Sequence, residues 1–140
     1  MKTTTLPLTE KDFAWVKMTP AIMKKNAEAY IENKKKVYKE IKSILPENRT
    51  FLNTLYALER CDDGFKSFFS KMGLLSEVSP KKEVRDAAHA IATEMSQKLV
   101  DIEYDRDLFI ALCEYYEGNF ADEKKSLRKE DIKLLEETLR

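Results

Sequence analysis

Glycine and proline punctuate this chain so rarely that long helices are the main option open to it. The 140 residues hold three glycines and four prolines, too few for a fold built on many tight turns. Where proline occurs, it reads as a helix boundary. Thr19 before Pro20 sets a capping hydroxyl ahead of a residue whose missing N–H costs nothing in a first turn. Pro46 disfavours helical dihedrals at Leu45 and closes the same segment. Between them Met23, Ala27, Tyr30, Val37, Ile41 and Ile44 recur in alternating steps of four and three, widened by Tyr38 and Leu45. Lys34 sits on that stripe as its exception.

The same grammar repeats downstream. Thr50 reads as an N-cap ahead of Phe51, Leu55, Leu58, Phe65, Phe69 and Met72 on one face, with Asp62 falling on that face. Asp63-Gly64 spells a turn, yet the apolar register resumes after Gly64 without a phase shift. The helix is therefore continuous, weakened there by about 1 kcal/mol relative to alanine, and Gly73 marks its end. Ser79-Pro80 opens a third helix with Val84, Ala88, Ile91, Met95, Leu99 and Ile102. Its alanine-rich middle (Ala87, Ala88, Ala90, Ala92) admits a close neighbour, which predicts a central position. Asp105 caps a fourth helix carrying Leu108, Phe109, Leu112 and Tyr116, closed by Gly118. A polar connection, "NFADEKKS", leads to a fifth with Ile132, Leu135 and Leu139. That helix runs to Arg140 without a closing cap and looks cut rather than finished. No alternating run competes as a strand. The expectation is an all-α bundle of about five helices, several long and amphipathic, with antiparallel neighbours. Residues 1–18 read as an irregular tail tied down by Phe13, Trp15 and Val16, and 19–140 as one helical domain.

Composition removes several function classes. Charged residues are 36% and hydrophobic residues 43%, the balance of a folded soluble chain. Lys+Arg and Asp+Glu stand at 25 each, which gives no general attraction to nucleic acid or an anionic membrane. The run Lys34 to Lys36 reads as a solvated helix face. No segment is apolar enough to span a membrane, and "MKTTTLPLTEKDFAW" lacks the apolar centre of a secretory signal. A cytoplasmic location follows as the expectation. Asn48-Arg49-Thr50 is then a glycosylation sequon by spelling only. Cys61 and Cys113 form no Cys-x-x-Cys pair and read as half-buried thiols in a reducing compartment.

Candidates for chemistry are few. His89 is the single histidine and is followed by Ala90, so the His-Glu-x-x-His helix that sets two zinc ligands and a base on one face is absent. Glu94 lies too far around the helix to partner it. A Cys–His nucleophile would need distant elements to converge. The glycines are isolated, so no phosphate-cradling loop exists. Asp62-Asp63, Glu136-Glu137 and Asp101 with Glu103 read as solvated helix surface. Phe68-Phe69 and Tyr115-Tyr116 read as core, with one tyrosine free to face a groove or partner if that pair straddles the edge of the stripe. No catalytic, metal-binding or cofactor-binding residue is expected in these 140 residues, and substrate-binding residues stay open.

Four segments in order nevertheless resemble one family. "TFLNTLYALER" (Thr50 to Arg60) is similar to the Thr-Phe-x-Asn-Thr-Leu-x-Ala-Leu-Glu pattern of the thimet oligopeptidase and oligopeptidase A family. "TPAIMKKNAEAYIE" resembles that family's first helix, "DRDLFIALCEYY" its Asn/Asp-x-x-Leu-Phe segment, and "EDIKLLEETLR" its Gln-x-x-Leu-Leu-Glu-x-x-Leu-Arg helix. The resemblance covers about Thr19 to Arg140. Lys129 stands where the family often has proline, and the first eighteen residues have no counterpart. The resemblance implies a zinc metallo-oligopeptidase whose two helical halves enclose a narrow channel for short unstructured peptides. Its zinc ligands lie far downstream, and none maps onto a position here. The chain would then be a non-catalytic N-terminal domain forming part of the channel wall, with zinc only in the full-length protein. Its partners would be the catalytic half of the same polypeptide and short peptides, with a homodimer favoured by any bare apolar face. The alternative is a free-standing helical adaptor that holds a partner helix in a groove.

Overall fold

Six α-helices carry the described chain: α1 (Pro20–Ser43), α2 (Ala57–Val78), α3 (Lys82–Glu103), α4 (Arg106–Glu117), α5 (Phe120–Glu123) and α6 (Lys129–Thr138). The computed structural model describes residues 10–140, with side chains from residue 14 onward. Short 3-10 helices lie at Glu10–Lys17 and Pro46–Asn48, and a π-helical turn at Leu52–Tyr56 leads into α2. Among the described residues there is no strand, so the all-α reading holds. The 3-10 helix at Glu10–Lys17 replaces the irregular stretch expected there. Trp15 packs on the core as expected, while Val16 is exposed. Residues 1–9 and the Phe13 side chain fall outside the described residues.

The helix boundaries follow local chemistry. Thr19 Oγ1 accepts from the Ile22 N–H at 3.3 Å, and α1 ends ahead of Pro46. Asp105 Oδ1 accepts from the Leu108 N–H at 3.0 Å and opens α4, which Gly118 closes. α2 passes through Gly64 unbroken, and it also passes through Gly73. No glycine has positive φ, and Leu75 beyond Gly73 is fully buried, so packing carries the helix on to Val78. Ser79 therefore closes α2 instead of opening α3, which starts after an extended Lys81.

The buried faces differ from the expected stripes by one residue in places. α1 buries Met23, Ala27, Ile31, Lys34, Tyr38 and Ile41. Tyr30 is exposed, and Val37 and Ile44 are half-buried. A strict four-then-three alternation repeats every 3.5 residues, whereas the helix turns every 3.6, so the true face drifts off the counted stripe. α2 buries Phe68 and leaves Phe69 half-buried. α4 buries Leu108, Ala111, Leu112 and Tyr115, while Phe109 and Tyr116 are exposed. Inside the expected polar connection, Phe120 is buried on α5.

Two cores result, and α1 and α2 serve both. The first joins Met23, Ala27 and Ile31 of α1 to Phe65, Phe68 and Met72 of α2 and to Val84, Ala88, Ile91 and Met95 of α3. The second joins Tyr38 and Ile41 of α1 to Phe51, Leu55 and Leu58, and closes them with Leu108, Leu112 and Tyr115 of α4, Phe120 and Leu135. The pairing of early α1 with late α2 makes these helices antiparallel. α3 packs on α1 and α2 from Val84 through Ile102, which touches both cores, and α1 reaches α3 and α4 alike. The alanine-rich middle of α3 does admit close neighbours: Ala88 is buried and Ala87 and Ala92 pack on the first core, while Ala90 faces solvent.

Candidate functional site

Between the two cores lies a charged seam. Lys34 is 1% exposed, and its Nζ lies 2.5 Å from Asp62 Oδ1 on α2 and 3.7 Å from Glu103 Oε1 at the end of α3. The two residues that interrupt the sequence stripes of α1 and α2 therefore interrupt them at the same level and neutralise each other. A charge on an apolar face survives only with such a partner. Lys34 Nζ also stands 5.2 Å from the Tyr38 ring centre and 5.1 Å from that of Phe65. Burial, then the charges of Asp62 and Glu103, push the Tyr38 phenol well above its ordinary range. Burial and Asp62 raise the neighbouring Cys61 thiol, against the opposing pull of Lys34. Both shifts keep the phenol and the thiol protonated near neutrality.

The connection into α2 is stitched by main-chain hydrogen bonds. Thr50 and Asn53 cap reciprocally: Asn53 N–H donates to Thr50 Oγ1 at 3.1 Å, and Thr50 N–H to Asn53 Oδ1 at 2.7 Å. Arg49, 4% exposed, pairs with Glu114 of α4. Asn119 Nδ2 reaches the carbonyls of Pro46, Glu47 and Arg49 at 3.2, 3.0 and 2.9 Å. The Tyr56 N–H bonds back to the Phe51 carbonyl at 2.8 Å, the five-residue step of a π turn. Such turns recur at functional sites because they insert a residue and rotate the following side chains.

That rotation defines the outer face of the segment. Phe51, Leu55 and Leu58 point into the second core, while Leu52, Tyr56 and Arg60 share the opposite side. With Tyr30 and Asn33 of α1 and the bare backbone of Gly64, they line an open groove of ≈ 500 Å³. A shallower hollow of ≈ 340 Å³ continues past Asn26 and Ala29 and shares Tyr30 and Asn33. Tyr30 stacks on Phe68 at 4.9 Å, which anchors its ring at the groove wall. An added Cβ at Gly64 would lie 3.6 Å from Tyr30 Cε1, so any longer side chain there would enter the groove. Cys61 Sγ is 4.0 Å from Asn33 Nδ2 at its inner edge.

The residues singled out in the sequence scatter. His89 is exposed on α3, where its carbonyl accepts from Thr93 Oγ1, and Glu94 pairs with Lys98 at 2.8 Å. Cys61 is buried beside the groove, and Cys113 is half-buried on α4. Asp62 is not solvated surface but the anion of the seam, and Glu103 approaches the same ammonium. Asp63, Asp101, Glu136 and Glu137 are exposed. Lys34 likewise leaves the expected solvated face, whereas Lys35 and Lys36 keep it. Tyr115 is buried, and Tyr116 stacks on Phe120 at 5.1 Å at the surface. Among the described residues, no group of three or more His, Cys, Asp and Glu is placed to hold a metal. No helix among them is long and apolar enough to cross a membrane. The groove itself was legible in one signal: Leu52, Tyr56 and Arg60 recur every four residues, a second row of large side chains opposite the core row.

No protein-family profile matches the chain. Over 116 residues, or 83% of its length, it is 30% identical to a thimet-like oligopeptidase of Dictyostelium discoideum. It spans 17% of that relative.

Proposed function

We propose that the chain is the non-catalytic N-terminal helical domain of a zinc-dependent oligopeptidase of the thimet type, working in the cytoplasm as part of the wall of a substrate channel. The observation that carries this reading is the similarity over 83% of the chain to a thimet-like oligopeptidase. The all-helical bundle is the architecture that the four-segment resemblance implies. On this reading the zinc, its ligands and the general base belong to the catalytic half of the same polypeptide, and short peptides are the substrates. The wall acts sterically, as a two-core bundle indexed by a buried ion pair. Phe109, Ile110 and Tyr116, exposed on α4, are the face assigned to the catalytic half. The open groove favours a second reading, an adaptor that holds a partner segment.

The test is complementation. Purified chain is added to a thimet-like oligopeptidase variant that lacks the matched N-terminal segment. Cleavage of a quenched fluorescent peptide, with discrimination against longer peptides, should rise with added chain and be abolished by chelator. Rates and length discrimination that stay unchanged at saturating chain would overturn the proposal and leave the adaptor reading standing.

A further inference from the structure

The helices differ in what ties them to the bundle. Lys34 of α1 pairs with Asp62 of α2 and lies 3.7 Å from Glu103 of α3, and Lys42 of α1 meets the α4 N-cap Asp105 at 2.6 Å. Glu123 of α5 accepts from the Phe51 N–H at 3.2 Å. α6 has no such tie. Among the described residues, every hydrogen bond and ion pair of residues 128–140 stays inside that segment. Arg128 pairs with Asp131 at 2.9 Å and Lys133 with Glu137 at 3.8 Å, and Thr138 Oγ1 donates to the Leu134 carbonyl at 2.8 Å. What holds α6 is apolar. Leu135 is fully buried in the second core, and Ile132, Leu134 and Leu139 pack half-buried against it. Packing on α4 is incomplete beside Glu136 and Leu139, where a cleft of ≈ 270 Å³ reaches Cys113 and Tyr116.

We propose that α6 is a strap that opens independently: it leaves the bundle as one unit while α1 to α4 stay folded, and uncovers part of the second core. A helix tied by buried polar contacts would leave orphaned donors and acceptors behind, and their desolvation would oppose its departure. α6 leaves none, and its Arg128–Asp131 pair travels with it. Ten residues are too few for a stable helix in water, so the freed segment melts and its amides lose protection. The chain just ahead of it is free to move with it, since Lys124, Lys125 and Ser126 are exposed. The remaining helices keep what joins them. The first core contains no residue of α6, and Lys34–Asp62, Lys42–Asp105 and Arg49–Glu114 all lie outside it. The inference goes beyond the proposed wall function and does not depend on it, since opening is read on this chain alone, without turnover.

Native-state hydrogen exchange of the full chain in rising, sub-denaturing urea reads the opening residue by residue. The protected amides of α6 should share one opening free energy, lower than that of α2 and α3. Their urea slope should be shallow, because undocking exposes little surface. Leu135→Ala should speed α6 exchange at least ~30-fold, or to the unprotected rate. Ile91→Val weakens only the first core, so it should speed α2 and α3 about fivefold and leave α6 unchanged. Exchange of α6 with the free energy and slope of α2 and α3, or quickened equally by Ile91→Val, would overturn the proposal. Exchange graded inward from Thr138 would also overturn it, by showing end fraying in place of a unit that opens.

Discussion

Replacing Asp62 by alanine leaves the Lys34 ammonium buried among aromatic rings, and the structure sets the size of the effect. Breaking a buried ion pair costs about 3–5 kcal/mol. Here the ammonium keeps two partial substitutes. The Phe65 and Tyr38 rings stay within 5.1 and 5.2 Å, together worth roughly 1 kcal/mol. Glu103 lies 3.7 Å away but is 46% exposed, so it adds about 0.5 kcal/mol. The expected loss is therefore about 2–3 kcal/mol, or roughly 8 °C in melting temperature for a chain of this size. Lys34→Met should cost less, about 1–2 kcal/mol, because Asp62 is 16% exposed and can turn to water. The double variant Lys34→Met/Asp62→Leu fills the seam with apolar volume and should recover most of the loss, giving a coupling of about 2 kcal/mol. Urea unfolding followed by circular dichroism reads all four proteins, with the slope m held constant as a check on two-state behaviour. If Asp62→Ala fell within about 0.5 kcal/mol of the parent, or the single losses simply added in the double variant, the seam would not be a coupled buried pair.

Two smaller perturbations follow from the helix ends and interiors. Gly73 has no positive φ and open space where a Cβ would stand, so Gly73→Ala should raise the urea midpoint by the equivalent of about 1 kcal/mol. Burial of Asp105 opposes its ionisation, but the hydrogen bonds from Lys42 and the Leu108 N–H outweigh it and hold the carboxyl below its usual range. A depressed carboxylate contributes stability that is present above its unfolded pKa and lost as pH falls through the folded value. Asp105→Asn keeps the cap without the titration, so its stability should fall less than the parent's on acidification through the ordinary aspartate range and below.

Helix existence was readable from capping and periodicity because both are local. Thr19, Thr50, Asp105 and Gly118 act in the structure much as their sequence contexts imply. Gly73 and Ser79 misled because a cap signal competes with burial further along, and fully buried Leu75 decides that competition. Which face is buried was less legible. Tyr30, Phe109 and Tyr116 are apolar enough for a core, and only the partner helix determines that Ile31 and Tyr115 go in instead. The pairing of Lys34 with Asp62 could not be seen in either stripe alone, since each charge is intelligible only once the antiparallel register of α1 and α2 is known. The outer row of the groove, Leu52, Tyr56 and Arg60, shows in its four-residue spacing, but the π turn that positions it is announced by no simple residue preference.

The division into two cores has a consequence in time. The first core is complete in sequence by Met95, whereas the second waits for Leu108, Leu112, Tyr115, Phe120 and Leu135. At synthesis speeds of ~5–20 residues per second, the interval from Met95 to Leu135 lasts roughly 2–8 s. Through that interval Tyr38, Ile41, Phe51 and Leu55 stand on helices already anchored at their other ends, with their apolar faces uncovered. The nascent chain thus presents a preformed sticky surface long before its cover emerges. Substitutions in α4 and α6 should consequently lower yield during expression more than their effect on the finished fold accounts for.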